Sequence, residues 1–447
     1  MRNFLRQIPY QRLTSKNRHF SSNFSRMMMT SRPTYEFVDE VEDIFRYAVG
    51  GFHPVRIGDC YHDRYRVVHK LGHGACATIW LARDVRLRKY VALKIGMADR
   101  KTNEAAILTA LEKDKPARNR NSPFPLLLDQ FSLTGPNGKH KCLVMEAARC
   151  SLAASKEASW IRLFHLKTAR ILSAQITMAI HQMHSKGYIH NDLHLGNVLL
   201  QLSCSFAALS EEQLYSQFGW PIPQAVVRED KARLSPNVPA YVYEAVWLGM
   251  PTEDVAIQDA KIMLSDFGVA FMPSKESRLQ SNTPINVRPP ETRFEHNTPL
   301  TPASDIWSLA CMIWDIMAQR PLFGEILATS DMMTSQQVNA LGVLPRDWWD
   351  KWNARSEFFT QDGTPIESRR TPSWSHRFER DIQEPRRENN LGGSLDIEEQ
   401  QAFTCMLQSM LRYQPANRPT AEEVLNTEWM RRYALPELEK ASVVGTE

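Results

Sequence analysis

The sequence predicts an α+β fold with two lobes, a small β-rich amino-terminal lobe and a larger helical carboxy-terminal lobe. Short apolar runs separated by turns follow one another from residue 65 to 95, which is typical of strands joined by hairpins. A helical pattern begins at Glu104, and further strand-like runs extend to Met145. Helical segments dominate the chain beyond that point. Because 43% of the 447 residues are hydrophobic, each lobe can bury a core.

The first hairpin of the small lobe carries closely spaced glycines. Gly72 and Gly74 lie between two predicted strands, and Ala77 stands where a third glycine would complete the pattern. Glycine lets backbone N–H groups approach phosphate oxygens without obstruction by a side chain. Taken alone, the same spacing fits an ordinary hairpin equally well.

A lysine lies inside an apolar run of the small lobe. Lys94 is flanked by residues 91–93 and by Ile95, a pattern typical of a buried strand. A buried ammonium group needs an anionic partner or loses its charge. Glu104, at the start of the predicted helix, is the candidate partner. The sequence therefore predicts a Lys94–Glu104 ion pair.

Three oxygen-bearing side chains of the large lobe form a second constellation. Asp192 and Asn197 have the spacing D-x-x-x-x-N, and Asp266 begins an Asp-Phe-Gly string that follows the apolar run 262–264. Mg²⁺ takes oxygen ligands and tolerates only a few from protein. Asn197 and Asp266 are therefore candidate metal ligands.

In this order, the strings resemble the signature of the protein kinases. The set comprises the glycine-rich loop at 71–79, Lys94, Glu104, the string His190 to Asn197, Asp266-Phe267-Gly268 and Pro289-Pro290-Glu291. Residues 52–55 and 305–312 are further similar to the SR-protein kinases, which are serine/threonine kinases of the CMGC group. The resemblance covers roughly residues 50–433.

The resemblance implies a role for each candidate residue. ATP would bind between the lobes, with Lys94 holding its α- and β-phosphates. Asp192 would accept or orient the hydroxyl proton of a Ser or Thr in a protein substrate, while Asn197 and Asp266 would hold Mg²⁺. The other nucleotide contacts would come from residues lining the cleft: Leu71, Gly72, Gly74, Ile79, Ala92, Met145 as gatekeeper, and the backbone of Glu146, Ala147 and Ala148.

Two structural supports are also implied by the resemblance. Glu291 would form an ion pair with Arg418 that braces the large lobe. Asp305 would lie on the helix that supports the loop containing Asp192.

The chain departs from the kinase pattern at two positions of that loop. Asn191 replaces the usual arginine, and kinases without this arginine tend to be active without a phosphorylated activation loop. His194 stands where serine/threonine kinases carry a lysine that contacts the γ-phosphate. We expect His194 to take over this contact, with its protonated form stabilised by the nearby polyphosphate.

Two alternative functions stay open at this point. The string Asp-Leu-His-x-x-Asn at 192–197 also resembles small-molecule kinases of the choline and aminoglycoside type. A pseudokinase scaffold, which binds nucleotide or partners without turnover, is favoured by His194 and Ala77.

Composition limits the partners. A net charge of +4 does not predict nucleic-acid binding, and no apolar run approaches the roughly 20 residues of a membrane helix. The seven cysteines contain no Cys-x-x-Cys pair, which indicates reduced thiols. We expect a protein substrate, no nucleic acid and no membrane, and a monomer, although the sequence does not determine the oligomeric state.

The first 35 residues differ in kind from the rest. They are rich in Arg and Ser and lack Asp and Glu, which is the composition of a mitochondrial transit peptide. The sequence favours the mitochondrial matrix; a disordered basic tail, with the protein in cytoplasm or nucleus, is the alternative. The predicted segments that follow are a lead-in (36–64), the small lobe (65–147), the large lobe (148–433) with insertions at about 201–260 and 324–395, and a tail (434–447).

Overall fold

The computed structural model describes residues 34–113, 122–324, 327–369 and 372–444. The proposed transit peptide therefore lies outside the described residues, apart from its last two. The predicted two-lobed α+β fold is confirmed. The small lobe is one antiparallel sheet in the order β1-β2-β3-β4-β6-β5. Its strands are β1 (Cys60–Tyr61), β2 (Tyr65–His73), β3 (Ala77–Asp84), β4 (Lys89–Gly96), β5 (Leu127–Gly135) and β6 (Gly138–Glu146).

One helix, α1 (Glu104–Glu112), packs beside this sheet. Its buried residues Ile107, Leu108 and Leu111 belong to the main apolar core, which also includes Phe267 of the large lobe. The helix that carries Glu104 is therefore held by both lobes.

The large lobe is built around two long helices, α3 (Leu166–Ser185) and α7 (Pro302–Met317). Most of α7 is buried on all sides, as expected for a helix at the centre of a domain. A three-stranded sheet in the order β11-β8-β7 lies beneath the cleft, with β7 (Ala148–Ser151), β8 (Val198–Gln201) and β11 (Ile262–Leu264). The other helices of this lobe are α2 (Leu152–Glu157), α6 (Glu291–Phe294), α8 (Ser330–Leu341), α9 (Arg346–Lys351), α10 (Trp374–Phe378), α11 (Glu384–Asn389), α12 (Ile397–Met410), α13 (Ala421–Leu425) and α14 (Leu435–Val444).

The predicted brace of the large lobe is present. Arg418 donates two hydrogen bonds to Glu291, with Nη1 2.8 Å from Oε1 and Nη2 2.6 Å from Oε2. The guanidinium also lies over the ring of Trp307, 5.1 Å from its centroid.

The first insertion is folded and packs against the small lobe. It contains α4 (Cys204–Ala207), α5 (Glu211–Phe218), β9 (Pro223–Ala225) and β10 (Tyr241–Tyr243). Tyr215 of α5 donates a hydrogen bond to the Val68 carbonyl oxygen over 3.1 Å. The lead-in is hydrogen-bonded to this insertion, since Glu36 N–H donates to the Val227 carbonyl oxygen over 2.9 Å. The two segments thus cover the small lobe together.

The second insertion has an aromatic core of its own. Trp348 and Trp352 are fully buried there and pack with Phe294, Phe358 and Phe359. This cluster fixes α8 and α9 on the large lobe. None of the helices in the described part of the chain is both long enough and apolar enough to span a bilayer.

Candidate active site

The predicted ion pair of the small lobe is present and extends to the large lobe. Lys94 Nζ on β4 lies 2.8 Å from both carboxylate oxygens of Glu104 and 3.0 Å from Asp266 Oδ1. Burial lowers the pKa of Lys94, but the charges of Glu104 and Asp266 outweigh that effect, and the net pKa is raised. The ammonium is therefore charged and links β4, α1 and the Asp-Phe-Gly string.

Asp266 owes its position to an unusual backbone conformation and a buried neighbour. Its φ of 60° is in the left-handed region, which Asp tolerates better than most residues. Phe267 is buried and packs edge-on against Phe124, with ring centroids 5.9 Å apart. Burial raises the pKa of Asp266, but Lys94 outweighs this and lowers it overall, so the carboxylate stays ionised.

The loop before Asp192 is held from below by Asp305 of α7. Its carboxylate accepts hydrogen bonds from the backbone N–H groups of His190 (2.8 Å) and Asn191 (3.1 Å). The same carboxylate contacts His184 Nε2 over 2.9 Å. Burial raises the pKa of Asp305, but the bond with His184 and the other donors lower it overall. A buried anion thus fixes the start of the loop.

Asp192 and Asn197 lie side by side at the floor of the cleft. Asn197 Nδ2 donates to the Asp192 carbonyl oxygen over 2.9 Å and lies 3.4 Å from Asp192 Oδ2. Burial, together with the negative charge of Asp266, raises the pKa of Asp192 to about 6. Such a carboxylate is ionised near neutral pH and is a better base than an ordinary aspartate.

His194 is oriented by its own loop. Its Nδ1 accepts a hydrogen bond from the Gly196 N–H over 3.1 Å, so the ring proton is on Nε2, which lies 3.8 Å from Asp192 Oδ1. A Cβ on residue 196 would lie 2.7 Å from this ring, so only glycine fits there. Burial and the neighbouring His190 lower the pKa of His194. These effects favour a neutral ring, whereas the polyphosphate of bound ATP would favour the protonated ring expected from the sequence.

The side chains at this end of the cleft fit a magnesium ion that also binds phosphate. Asn197 uses its Nδ2 for the loop, which leaves the amide oxygen as an acceptor, and the side chain of Asp266 is about half exposed. Together they offer hard oxygen donors but too few to hold a cation alone. In the described ranges no three His, Cys, Asp or Glu side chains are grouped so that they could hold a metal ion.

The residues assigned to the nucleotide line one side of the small lobe. Ala92 and Met145 are paired across β4 and β6, and Ile79 is paired with Lys94 across β3 and β4. Leu71 lies on β2, next to the glycines. Glu146 ends β6 and Ala148 begins β7, so the backbone between them is the hinge that connects the lobes.

The glycine-rich loop itself is a short open hairpin. Gly74 N–H donates to the Ala77 carbonyl oxygen over 2.9 Å, which closes the turn. A Cβ on Gly72 or Gly74 would meet no atom within 4 Å. From the lead-in, Arg46 donates a hydrogen bond to the carbonyl oxygen of Ala75 at the tip.

Asn191 forms uncharged contacts with the activation segment, the residues 266–291 between the Asp-Phe-Gly and Pro-Pro-Glu strings. Its Nδ2 lies 3.4 Å from the Gln280 carbonyl oxygen, and its own carbonyl accepts a hydrogen bond of 3.1 Å from the Asn282 N–H. These bonds connect the activation segment to the catalytic loop through uncharged groups, so the connection does not depend on a phosphorylated residue.

Comparison with known families decides the identity of this arrangement. A family model described as "Protein kinase domain" matches residues 65–207 and 252–430, which is most of the chain. The chain belongs to the protein kinase family. The gap in the match, 208–251, coincides with most of the first insertion.

Individual relatives agree with this assignment. The chain is 37% identical over 171 residues to the serine/threonine-protein kinase spk-1 of Caenorhabditis briggsae, covering 37% of this chain and 15% of that protein. It is 27% identical over 424 residues to the serine/threonine-protein kinase SRPK of Physarum polycephalum, covering 88% of this chain and 92% of the relative. A solved structure described as a kinase domain has a TM-score of 0.56 at 18% identity, covering 85% of this chain and 98% of that one, and supports the fold alone.

Sequence reasoning missed the residues that the kinase insertion brings to the cleft. Leu248 is 3% exposed and belongs to the same apolar cluster as Ala92 and Ala147, and Val246 packs against it. The apolar run 245–248 was the available signal. Nothing in the sequence indicated which surface they cover.

Proposed function

We propose that this protein is an ATP-dependent kinase that transfers the γ-phosphate of ATP to Ser or Thr of protein substrates, in the manner of the SR-protein kinases. One observation carries the proposal: the Lys94 ammonium is bonded to Glu104 and Asp266 at the same time. This contact joins the helix of the small lobe to the metal-binding string of the large lobe. Phosphoryl transfer in this family depends on both parts being in place.

Each residue has a defined task in the transfer. Lys94 orients the α- and β-phosphates, and the backbone around Gly72 and Gly74 covers them. Asp192 accepts the proton of the substrate hydroxyl as its oxygen bonds to the γ-phosphorus and the bond to the β-phosphate oxygen breaks. His194 donates a hydrogen bond from Nε2 to the γ-phosphate, where charge accumulates in the transition state.

Asn197 and Asp266 would hold Mg²⁺. The ion neutralises phosphate charge when it is bound. Its two protein ligands come from loops fixed by different supports, Asp192 for Asn197 and Lys94 for Asp266. Both ligands lie in the large lobe, where the Ser265 N–H next to Asp266 donates to the Asn197 carbonyl oxygen over 2.8 Å. Their separation is therefore fixed within this lobe, and closure of the lobes brings Lys94 to them.

The direct test is phosphate incorporation into a peptide library with purified protein, Mg²⁺ and ATP. Asp192→Asn and Lys94→Met should each lower the rate at least about a thousandfold. The thermal midpoint should be retained in Asp192→Asn, whereas Lys94→Met leaves the buried Glu104 carboxylate without its counter-charge and should lower the midpoint. Because catalysis needs ionised Asp192, kcat/KM of the unmodified protein should fall as pH decreases through about 6.

Other results would select another function. Nucleotide binding without transfer to any peptide or protein would identify a pseudokinase. Transfer only to small alcohols in a labelled acceptor panel would identify a small-molecule kinase.

We further propose that residues 1–35 direct the protein to the mitochondrial matrix. Their basic, acid-free composition supports this address. Fusion of these residues to a fluorescent protein should place the reporter in mitochondria, and the matched fusion with Arg6→Glu and Arg12→Glu should remain outside. A diffuse or nuclear signal from the first fusion would contradict the proposal.

A further inference from the structure

Seven residues of the insertion, 244–250, connect the two lobes; we call them the strap. Just before the strap, the Tyr243 carbonyl oxygen accepts a hydrogen bond of 2.8 Å from Lys70 Nζ. Val246 N–H donates to the Lys70 carbonyl oxygen over 2.8 Å. At the far end, Ser155 Oγ donates to the Met250 carbonyl oxygen over 2.8 Å. The strap therefore runs from β2 of the small lobe to α2 of the large lobe.

The strap passes closely over the residues that follow the hinge. A Cβ on Gly249 would lie 2.5 Å from Cys150 Sγ and 2.6 Å from the ring of Trp247, so a larger residue would have to displace these side chains. Arg149 Nη1 lies 3.7 Å from Met250 Sδ. These contacts hold the second half of the strap against the hinge side of the cleft.

The side chain of Leu248 packs with residues of the nucleotide site. It is almost fully buried, in one apolar cluster with Ala92 and Ala147. Leu71 and Ile79 pack against the same cluster, together with Val246. Four apolar residues assigned to the adenine base thus share one cluster with Leu248. The other buried members of this cluster are Val68, Leu81, Tyr90, Phe206 and Leu214.

We propose that the strap is an autoinhibitory plug. Leu248 occupies space that the adenine base requires, and nucleotide binds only after Leu248 has withdrawn. The proposal rests on the proposed function, since it regulates that same nucleotide site. Because burial of a leucine side chain favours the closed strap, we expect the nucleotide affinity of the unmodified protein to be lowered roughly ten- to a hundredfold.

Dissociation constants for adenosine and for Mg-ATP test the plug. Leu248→Ala should bind both ligands roughly ten- to a hundredfold more tightly than the unmodified protein. Ile222→Ala, which shortens a 72% exposed side chain of the same insertion, should bind them unchanged. If Leu248→Ala binds the two ligands equally well, more weakly or not at all, the plug is refuted, and Leu248 is a wall of the site.

Amide hydrogen exchange in the unmodified protein gives a second, independent readout. Saturating adenosine should accelerate exchange in residues 244–250 if the strap is displaced. Slower exchange there would overturn the proposal even if Leu248→Ala proved unstable. Adenosine carries no phosphate, so its binding requires neither Asp192 nor a metal ion. Tighter adenosine binding without phosphoryl transfer would therefore contradict the proposed function and leave the plug intact.

Discussion

The catalytic loop and the glycine-rich loop contribute to the same cleft but are held in opposite ways. The catalytic loop is supported from within the large lobe, where the buried carboxylate of Asp305 binds two of its backbone N–H groups. The glycine-rich loop is an open hairpin whose tip contacts Arg46 of the lead-in. Its strand β2 also carries the strap, through Lys70. One loop is fixed by its own lobe and the other by segments distant in sequence.

The two kinds of support match two different requirements: catalytic groups that keep fixed positions, and a cleft that nucleotide can enter and leave. A base and metal ligands must keep fixed positions if they are to act on one hydroxyl group, and buried charged hydrogen bonds supply such rigidity. A phosphate-covering hairpin must admit and release nucleotide, which weaker and more distant contacts permit. Variants of each loop can test this division.

The largest effect is expected from the support of the catalytic loop. Asp305→Asn removes the buried charge that two N–H groups and His184 share, and should lower the free energy of unfolding by about 3–5 kcal/mol. Phosphoryl transfer should fall with it. Urea unfolding monitored by tryptophan fluorescence measures the change.

Asp192→Asn is the matched control for that experiment. Its folded pKa, about 6, is raised above that of an unfolded aspartate. Ionisation of Asp192 therefore destabilises the fold as the pH rises above the pKa of the unfolded aspartate. This loss of stability is complete above about pH 6. At pH 7 the control should be as stable as the unmodified protein or more so. Equal stability of the two variants would show that Asp305 does not support the loop.

An intermediate effect is expected at His194. His194→Ala removes one donor to the γ-phosphate and should cost roughly ten- to a thousandfold in kcat. The neutral ring already has its proton on Nε2. The ratio of the rate of the unmodified protein to that of His194→Ala should therefore be the same at about pH 6 and about pH 8. If this ratio decreases at the higher pH, the γ-phosphate contact is made by the protonated histidine that the sequence predicts.

The smallest effect is expected in the glycine-rich loop. Gly74→Ala adds a methyl group that meets no atom within 4 Å, so the free energy of unfolding should change by less than about 0.5 kcal/mol. Gly196→Ala makes the same change in the catalytic loop and should displace the ring of His194, at a cost of about 1–3 kcal/mol. Similar values for the two variants would remove the contrast between the loops.

The same contrast explains how far the sequence could be interpreted. Lys94, Glu104 and Asp266 were predictable because each lies in a short string with its own local pattern, and the structure brings them within hydrogen-bonding distance of each other. The tautomer of His194 was not, since it depends on the direction of one backbone N–H. The position of Leu248 was not predictable either, because the nucleotide-site residues of its cluster lie about 100 to 180 residues earlier in the chain and carry no matching pattern.

The buried pair of Glu42 and Lys70 has a consequence for how this chain can change over time. Glu42 belongs to the lead-in, Lys70 to β2, and the Tyr243 carbonyl oxygen bonded to Lys70 belongs to the insertion. Neither the lead-in nor most of the insertion is part of the matched kinase domain. Loss of the lead-in would leave the buried Lys70 ammonium without its carboxylate, and loss of the insertion would remove the Tyr243 carbonyl oxygen that completes its hydrogen bonding. The two additions, which are separated in sequence by most of the small lobe, are therefore expected to be inherited, exchanged or deleted as a single module.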